Sequence, residues 1–307
     1  MPIATIFDRP TPLDLGSVST TGDESLTEDD AGREFAALTT ELRDLQELMY
    51  AASTNALLVV LQGMDASGKD VTIGNVFSAA NPQAAQVFSF SKRSEEDEAH
   101  HLLWRASTET PALGELTVFD RSYYEVPIIA LVDRATENDD VEDDSGNDDP
   151  GERGAAGDRD PGDDPVERDL AHIRNFERLL TDHGTIVVKV FLHVSAGEQG
   201  RRLTERQENP ETAWKISARD WQARRRWPAY MAAYGHVIAA TATPEAPWWV
   251  VPADRQWFHD LAVARLLADR LRPYRRSWEE ARERLGEEKA AEAREEQRRG
   301  DAPGDDV

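Results

Sequence analysis

The segment Gly63-Met64-Asp65-Ala66-Ser67-Gly68-Lys69 has the spacing G-x-x-x-x-G-K. Glycines at those positions let backbone N–H groups turn inward around phosphate oxygens, a helix starting behind them adds the positive end of its dipole, and the lysine adds a mobile charge. The chemistry is phosphate binding or phosphoryl transfer. The next residue is Asp70, not Ser or Thr, so the usual hydroxyl ligand of Mg²⁺ is missing and the metal must be held otherwise. Asp65 offers a way. A carboxylate inside an anion cradle is repelled by phosphate unless a cation lies between them, which points to a bridging Mg²⁺; the simpler alternative is a loop aspartate capping the helix. Asp120 supplies a second carboxylate at the end of the apolar run Leu116–Phe119, and Arg121 follows it, either facing phosphate or merely pairing with Asp120.

A reversal of charge marks a second candidate region. The chain carries Lys+Arg 35 against Asp+Glu 59, a formal charge of -24 with a pI near 4.6. Such a surface repels nucleic acid and anionic lipid. From Arg201 to Tyr230, however, eight basic residues face four acids. Arginine's planar fork matches phosphate oxygens, and an arginine in a lid can neutralise a transferring phosphoryl group; the alternative is a solvated helix pair laced by i,i+4 ion pairs such as Arg201 with Glu205. Trp214, Trp221 and Trp227 read first as packing residues.

These groups need a frame. The run from Ala56 to Leu61 suits a buried parallel strand, and further strands are expected at Leu116–Phe119, Ile186–Leu192 and Trp248–Val251. Helical periodicity over Phe35–Met49 and around Thr72–Ala79, Glu95–Trp104, Leu170–Leu180, Gly197–Arg206, Ala218–Ile238 and Trp257–Leu271 alternates with them. That order predicts an α/β fold, a mostly parallel sheet with helices on both faces and ligands at the carboxyl ends of the strands. Asp133 to Asp169 holds 16 acids and four arginines. With too few apolar groups to offset ordering entropy, it is expected to be a disordered insertion up to about residue 165. Trp278–Arg299 reads as a polar helix, followed by a tail. Without cysteine, thiolate zinc sites and disulfides are excluded. No apolar run approaches the roughly 20 residues of a membrane span, and no secretory signal is visible; a cytoplasmic protein is expected.

The order of the motifs resembles the polyphosphate kinase 2 family. The words that carry it are Leu61-Gln62-Gly63-Met64-Asp65-Ala66-Ser67-Gly68-Lys69-Asp70, Asn81-Pro82-Gln83, Leu103-Trp104-Arg105 and Phe119-Asp120-Arg121-Ser122-Tyr123-Tyr124-Glu125. They continue through Asn175-Phe176-Glu177, Phe191-Leu192-His193-Val194-Ser195, Arg202-Leu203 with Arg206, Trp214-Lys215 and Val251-Pro252-Ala253-Asp254. The resemblance spans about 31–275, leaving an N-terminal arm at 1–30 and the polar helix and tail at 276–307. It implies a P-loop kinase-like three-layer sandwich with a helical lid, forming dimers or tetramers. It further implies Mg²⁺-dependent transfer of a phosphoryl group between inorganic polyphosphate and a nucleoside mono- or diphosphate. By the same resemblance Asp65 and Asp120 form the acidic pair at the metal, Lys69 is the P-loop lysine, Arg121 lies beside the acceptor phosphates, and Arg202 and Arg206 are lid arginines. Gly63, Met64, Ala66, Ser67, Gly68 and Asp70, with Glu125 and Lys215, are the expected polyphosphate- and nucleotide-binding residues.

Four departures touch substrate preference more than fold: Val71, Arg93-Ser94, His101 and Val126 replace residues common in the family. The words around Tyr123-Tyr124-Glu125 look more like members that accept AMP, with ADP as a further acceptor. Two other readings stay open, an ATP-dependent nucleotide or nucleoside kinase and a catalytically decayed polyphosphate-binding protein. The donor separates the first. Joint retention of Asp65, Lys69, Asp120, Arg121, Arg202 and Arg206 speaks against the second.

Overall fold

A computed structural model describes residues 3–90, 94–143 and 164–300. Its centre is a six-stranded sheet in the order β1-β6-β5-β2-β4-β3. The strands are β1 (Thr5–Phe7), β2 (Ala56–Gln62), β3 (Ala85–Ser89), β4 (Leu116–Asp120), β5 (Thr185–His193) and β6 (Trp248–Pro252). All neighbours are parallel except β1, which joins β6 antiparallel. Every residue of β2, β5 and β6 is buried, which explains their unbroken apolar runs. β1 and β3 carry no such run. β1 has three residues, and β3 is an edge strand with partly exposed side chains, so neither stands out in the sequence.

The helices form two groups. On one side α1 (Glu28–Ala52) packs on α10 (Gln256–Leu271) and α11 (Arg275–Gly300), and α10 also meets α2 (Lys69–Val76). Elsewhere α5 (Glu125–Asp143), α6 (Pro165–Asp182) and α9 (Trp227–Thr241) pack on one another. The expected helix 95–104 is two short ones, α3 (Glu95–Ala99) and α4 (Trp104–Thr108). The basic region comprises α7 (Ala196–Glu208) and α8 (Ala218–Arg225), with α9 beginning anew at Trp227 because Pro228 in its first turn cannot continue a preceding ladder. Helix α5 was hidden from periodicity. It runs into the acidic stretch as far as Asp143, so that part of the expected insertion is helical; residues 144–163 lie outside the described residues. Asp164 caps α6 through the Val166 N–H, and its carboxylate takes both guanidinium nitrogens of Arg134 at 2.8 and 2.9 Å, which joins α5 to α6.

The N-terminal arm belongs to the packed fold. Leu15 is buried, its carbonyl lies 2.9 Å from His193 Nε2, and Thr20 donates to Asp254 at 2.7 Å. Among the described residues no helix is long and apolar enough to cross a membrane.

Candidate active site

The phosphate loop lies between β2 and α2, at the carboxyl edge of the sheet. Gly63, Ala66 and Gly68 have φ of 152°, 63° and 108°. At Gly63 a Cβ would meet Ser67 Oγ at 2.6 Å and the Leu192 carbonyl at 2.9 Å, so glycine is required by space as well as by backbone. Lys69 opens α2 and is buried. Its Nζ donates to the Gly63 and Met64 carbonyls at 2.8 and 3.2 Å, which folds the loop around it. Burial and the neighbouring Arg121 charge lower its pKa. Val71, one of the departures, sits in α2 with negative φ, where a β-branched residue is harmless.

Strand β4 ends beside this loop, with Asp120 in register with Leu61. Asp120 Oδ2 accepts from Ser89 Oγ at 3.1 Å, whereas Oδ1 is buried without a partner among the described residues. Arg121 turns sharply at φ 63°. Its N–H is tied to the Leu61 carbonyl, and its guanidinium pairs with Asp65, not Asp120, and lies 3.8 Å from Glu125. Left-handed backbone at a bulky residue is costly, and here neighbours on both sides hold it. Burial raises the Glu125 pKa against the pull of Arg121 and Lys69, and Gln62, oriented with its amide toward Glu125, donates to it at 3.0 Å.

The Tyr-Tyr pair between Arg121 and Glu125 is pinned from below. Glu177 Oε1 accepts from Tyr123 and Tyr124 at 2.9 and 2.7 Å, and Oε2 takes Lys189 Nζ at 2.6 Å. Lys189 also donates to the Thr241 carbonyl at 2.8 Å. All four side chains are buried, and burial with the Glu177 charge lifts both tyrosine pKa values well above 10. A lysine inside the apolar run Ile186–Leu192 was the signal for this network in the sequence.

The two expected lid arginines part company. Arg202 directs Nε to Glu198 at 2.7 Å, Nη1 to the Ala66 and Ser67 carbonyls at 3.3 and 3.0 Å, and Nη2 to the Ala253 and Asp254 carbonyls at 2.7 and 3.0 Å. An arginine has five N–H donors, and all are committed. These bonds tie Arg202 to the phosphate loop and to the segment after β6, and Arg202 also lines the larger cleft over that loop. Arg206, one turn on, faces the cleft with no hydrogen bond to its guanidinium among the described residues.

Two cavities meet here. One, about 870 Å³, runs over the phosphate loop and is lined by Lys69, Asp70, Asp120, Arg206, Lys215 and Asp220 among others. The second, about 380 Å³, has apolar walls from Phe90, Leu102, Ile129, Tyr230 and Tyr234. Asp65, Arg121 and Arg219 line both. Lys215 lies 3.5 Å from Asp70, and the exposed Trp214 stands under its ammonium at the rim. Arg219, on α8, lines the cleft; within a basic run, charge alone does not tell a facing arginine from Arg224, which is held by Ala196 and Gln199, or Arg226, held by Asp133 and Thr136.

This order of parts is matched by known proteins. Residues 25–144 and 162–277 match the family described as Polyphosphate kinase 2. The chain belongs to the polyphosphate kinase 2 family. The two matched segments leave out the middle of the acidic stretch. An "AMP/ADP-polyphosphate phosphotransferase" of Meiothermus ruber is 38% identical over 237 residues, covering 77% of this chain and 79% of the relative. An "ADP-polyphosphate phosphotransferase" of Rhodopseudomonas palustris is 36% identical over 244 residues, 78% of each. The crystal structure of polyphosphate kinase 2 from Arthrobacter aurescens superposes with a TM-score of 0.72 at 34% identity, covering 87% of this chain and 88% of that one. The expected family and P-loop kinase-like α/β fold therefore hold.

Proposed function

We propose that this chain transfers a phosphoryl group from inorganic polyphosphate to AMP or ADP. The observation that carries the reading is the meeting of the two cavities at Asp65, Arg121 and Arg219. A polyanion fits the larger cleft, where α2 points its N-terminus and Lys69, Arg206 and Lys215 supply charge. A nucleoside fits the smaller cavity, whose aromatic and aliphatic walls suit a base and sugar. Their phosphates then approach end to end. Phosphoryl transfer asks the protein chiefly to align two polyanions and cancel their repulsion, and this arrangement does both. The names of the Meiothermus and Rhodopseudomonas relatives give the same donor and acceptors.

The residues fit a bound Mg²⁺. Among the described residues no cluster of three or more metal-ligating side chains exists, but Mg²⁺ is commonly held by one or two carboxylates together with water and substrate phosphates. Asp120, whose Oδ1 is buried with no hydrogen-bond partner among the described residues, and Asp65 would hold such an ion. Bound there, the ion supplies positive charge to the phosphate oxygens. The protein's own residues hold the rest: Lys69 shapes the loop, Arg202 clamps it from behind, and Arg121 stands between acceptor and donor.

The test is incubation of pure protein with Mg²⁺ and long-chain polyphosphate, without ATP, and with AMP, ADP or GDP in separate reactions. ADP from AMP, or ATP from ADP, is the expected product. Phosphorylation of a nucleotide by ATP but not by polyphosphate would replace the reading with an ATP-dependent kinase.

A further inference from the structure

The junction of the two cavities has a cation that the motifs leave unassigned. Of the three residues lining both, Asp65 and Arg121 are paired with each other. Arg219 is exposed, and its guanidinium carries no hydrogen bond or ion pair among the described residues. Its backbone is fixed nonetheless. A capping box ties Ser217 to Asp220, with the Ser217 N–H donating to Asp220 at 2.9 Å, so α8 presents an exposed side chain from a set position. The ligand-free junction is rich in acid, with Asp65 and Asp220 on the larger cavity and Glu125 on the smaller. The phosphates of an approaching polyphosphate and nucleotide add to that charge. Arg202 has its donors on protein acceptors, and both Arg202 and Arg206 line the larger cavity but not the smaller.

We infer that Arg219 is a catalytic residue, whose guanidinium contacts the phosphoryl group as it passes from donor to acceptor. The inference rests on the two-cavity reading and assigns the transferring charge to α8 instead of Arg202. A planar fork that meets the phosphoryl oxygens chiefly in the transition state raises kcat, whereas one that merely attracts polyphosphate lowers KM.

The experiment measures kcat and KM for Arg219→Ala and Arg219→Lys, with and without millimolar guanidinium chloride, using whichever donor the parent enzyme turns over, polyphosphate or ATP. The choice of donor tests the proposed function; the comparison with the parent tests Arg219. The expected result is a fall in kcat of about 100-fold for Arg219→Ala, a smaller fall for Arg219→Lys, and KM values within about threefold of the parent's. Added guanidinium restores part of kcat in Arg219→Ala and does not raise the parent's. A kcat within threefold of the parent's, a change confined to KM, or a loss that guanidinium does not repair would overturn the assignment.

Discussion

Asp120 and Arg202 show how partners, rather than residue type, decide roles. The Asp120 carboxylate has one oxygen on Ser89 and one buried without a partner among the described residues, so its charge is left for a ligand. Asp120→Asn preserves shape and removes that charge; turnover is expected to fall about 100-fold or more while circular dichroism and melting stay as in the parent. Turnover within a few-fold of the parent would remove Asp120 from the metal and phosphate site. Arg202 is the opposite case, since its donors already serve the carbonyls of Ala66, Ser67, Ala253 and Asp254. Arg202→Ala therefore destabilises the ligand-free protein by about 2 kcal/mol or more, seen as a drop of a few degrees in Tm. A lid arginine that met only phosphate would leave the ligand-free Tm unchanged, and that outcome would favour the lid role.

Helix α10 braces the phosphate loop from beneath. Asp260 accepts from Thr72 and Asn75 of α2 at 3.1 and 2.7 Å, and His259 fills the space under Gly68, where a Cβ would come within 2.5 Å of its ring. Burial, with the nearby Arg202 charge, lowers the His259 pKa to about 3. An unfolded histidine takes up its proton near 6.5. Between these values the unfolded chain binds more protons than the folded one, so stability falls as pH falls. From pH 8 to pH 5 this group alone removes about 2 kcal/mol, and His259→Gln should flatten the acid limb of urea-unfolding free energies by that amount. Equal limbs in parent and variant would show that His259 does not stay neutral in the fold. The phosphate loop was legible in the sequence because two glycines, a lysine and an unbroken apolar strand must occur together for it to form. The commitment of the Arg202 guanidinium to four carbonyls was not, because those partners lie far along the chain. Edge strand β3 and helix α5 were missed for a related reason: one is half exposed, the other merges into acid.

Across the whole molecule, the sheet brings the ends of β2 and β4 together so that the loop and Asp120 share one edge, while α7 and α8 add the basic wall. The matched family segments leave out the middle of the acidic stretch, and Arg134 with Asp164 bridges α5 and α6 on either side of it. Replacing residues 144–163 by a short Gly/Ser linker keeps that bridge and the α6 cap. Because closure entropy changes only slowly with loop length, Tm is expected within a few degrees of the parent's and kcat within about threefold. Loss of activity at unchanged Tm would give the stretch a part in catalysis. In the proposed reaction the phosphoryl group passes from a polyphosphate in one cavity to a nucleotide in the other. That transfer is tested most directly by mixing the enzyme with Mg²⁺, ³²P-labelled polyphosphate and unlabelled AMP in the absence of ATP, then locating the label. Label is expected in the β-phosphate of ADP; unlabelled nucleotide throughout, or labelling that requires added ATP, would rule out transfer from polyphosphate.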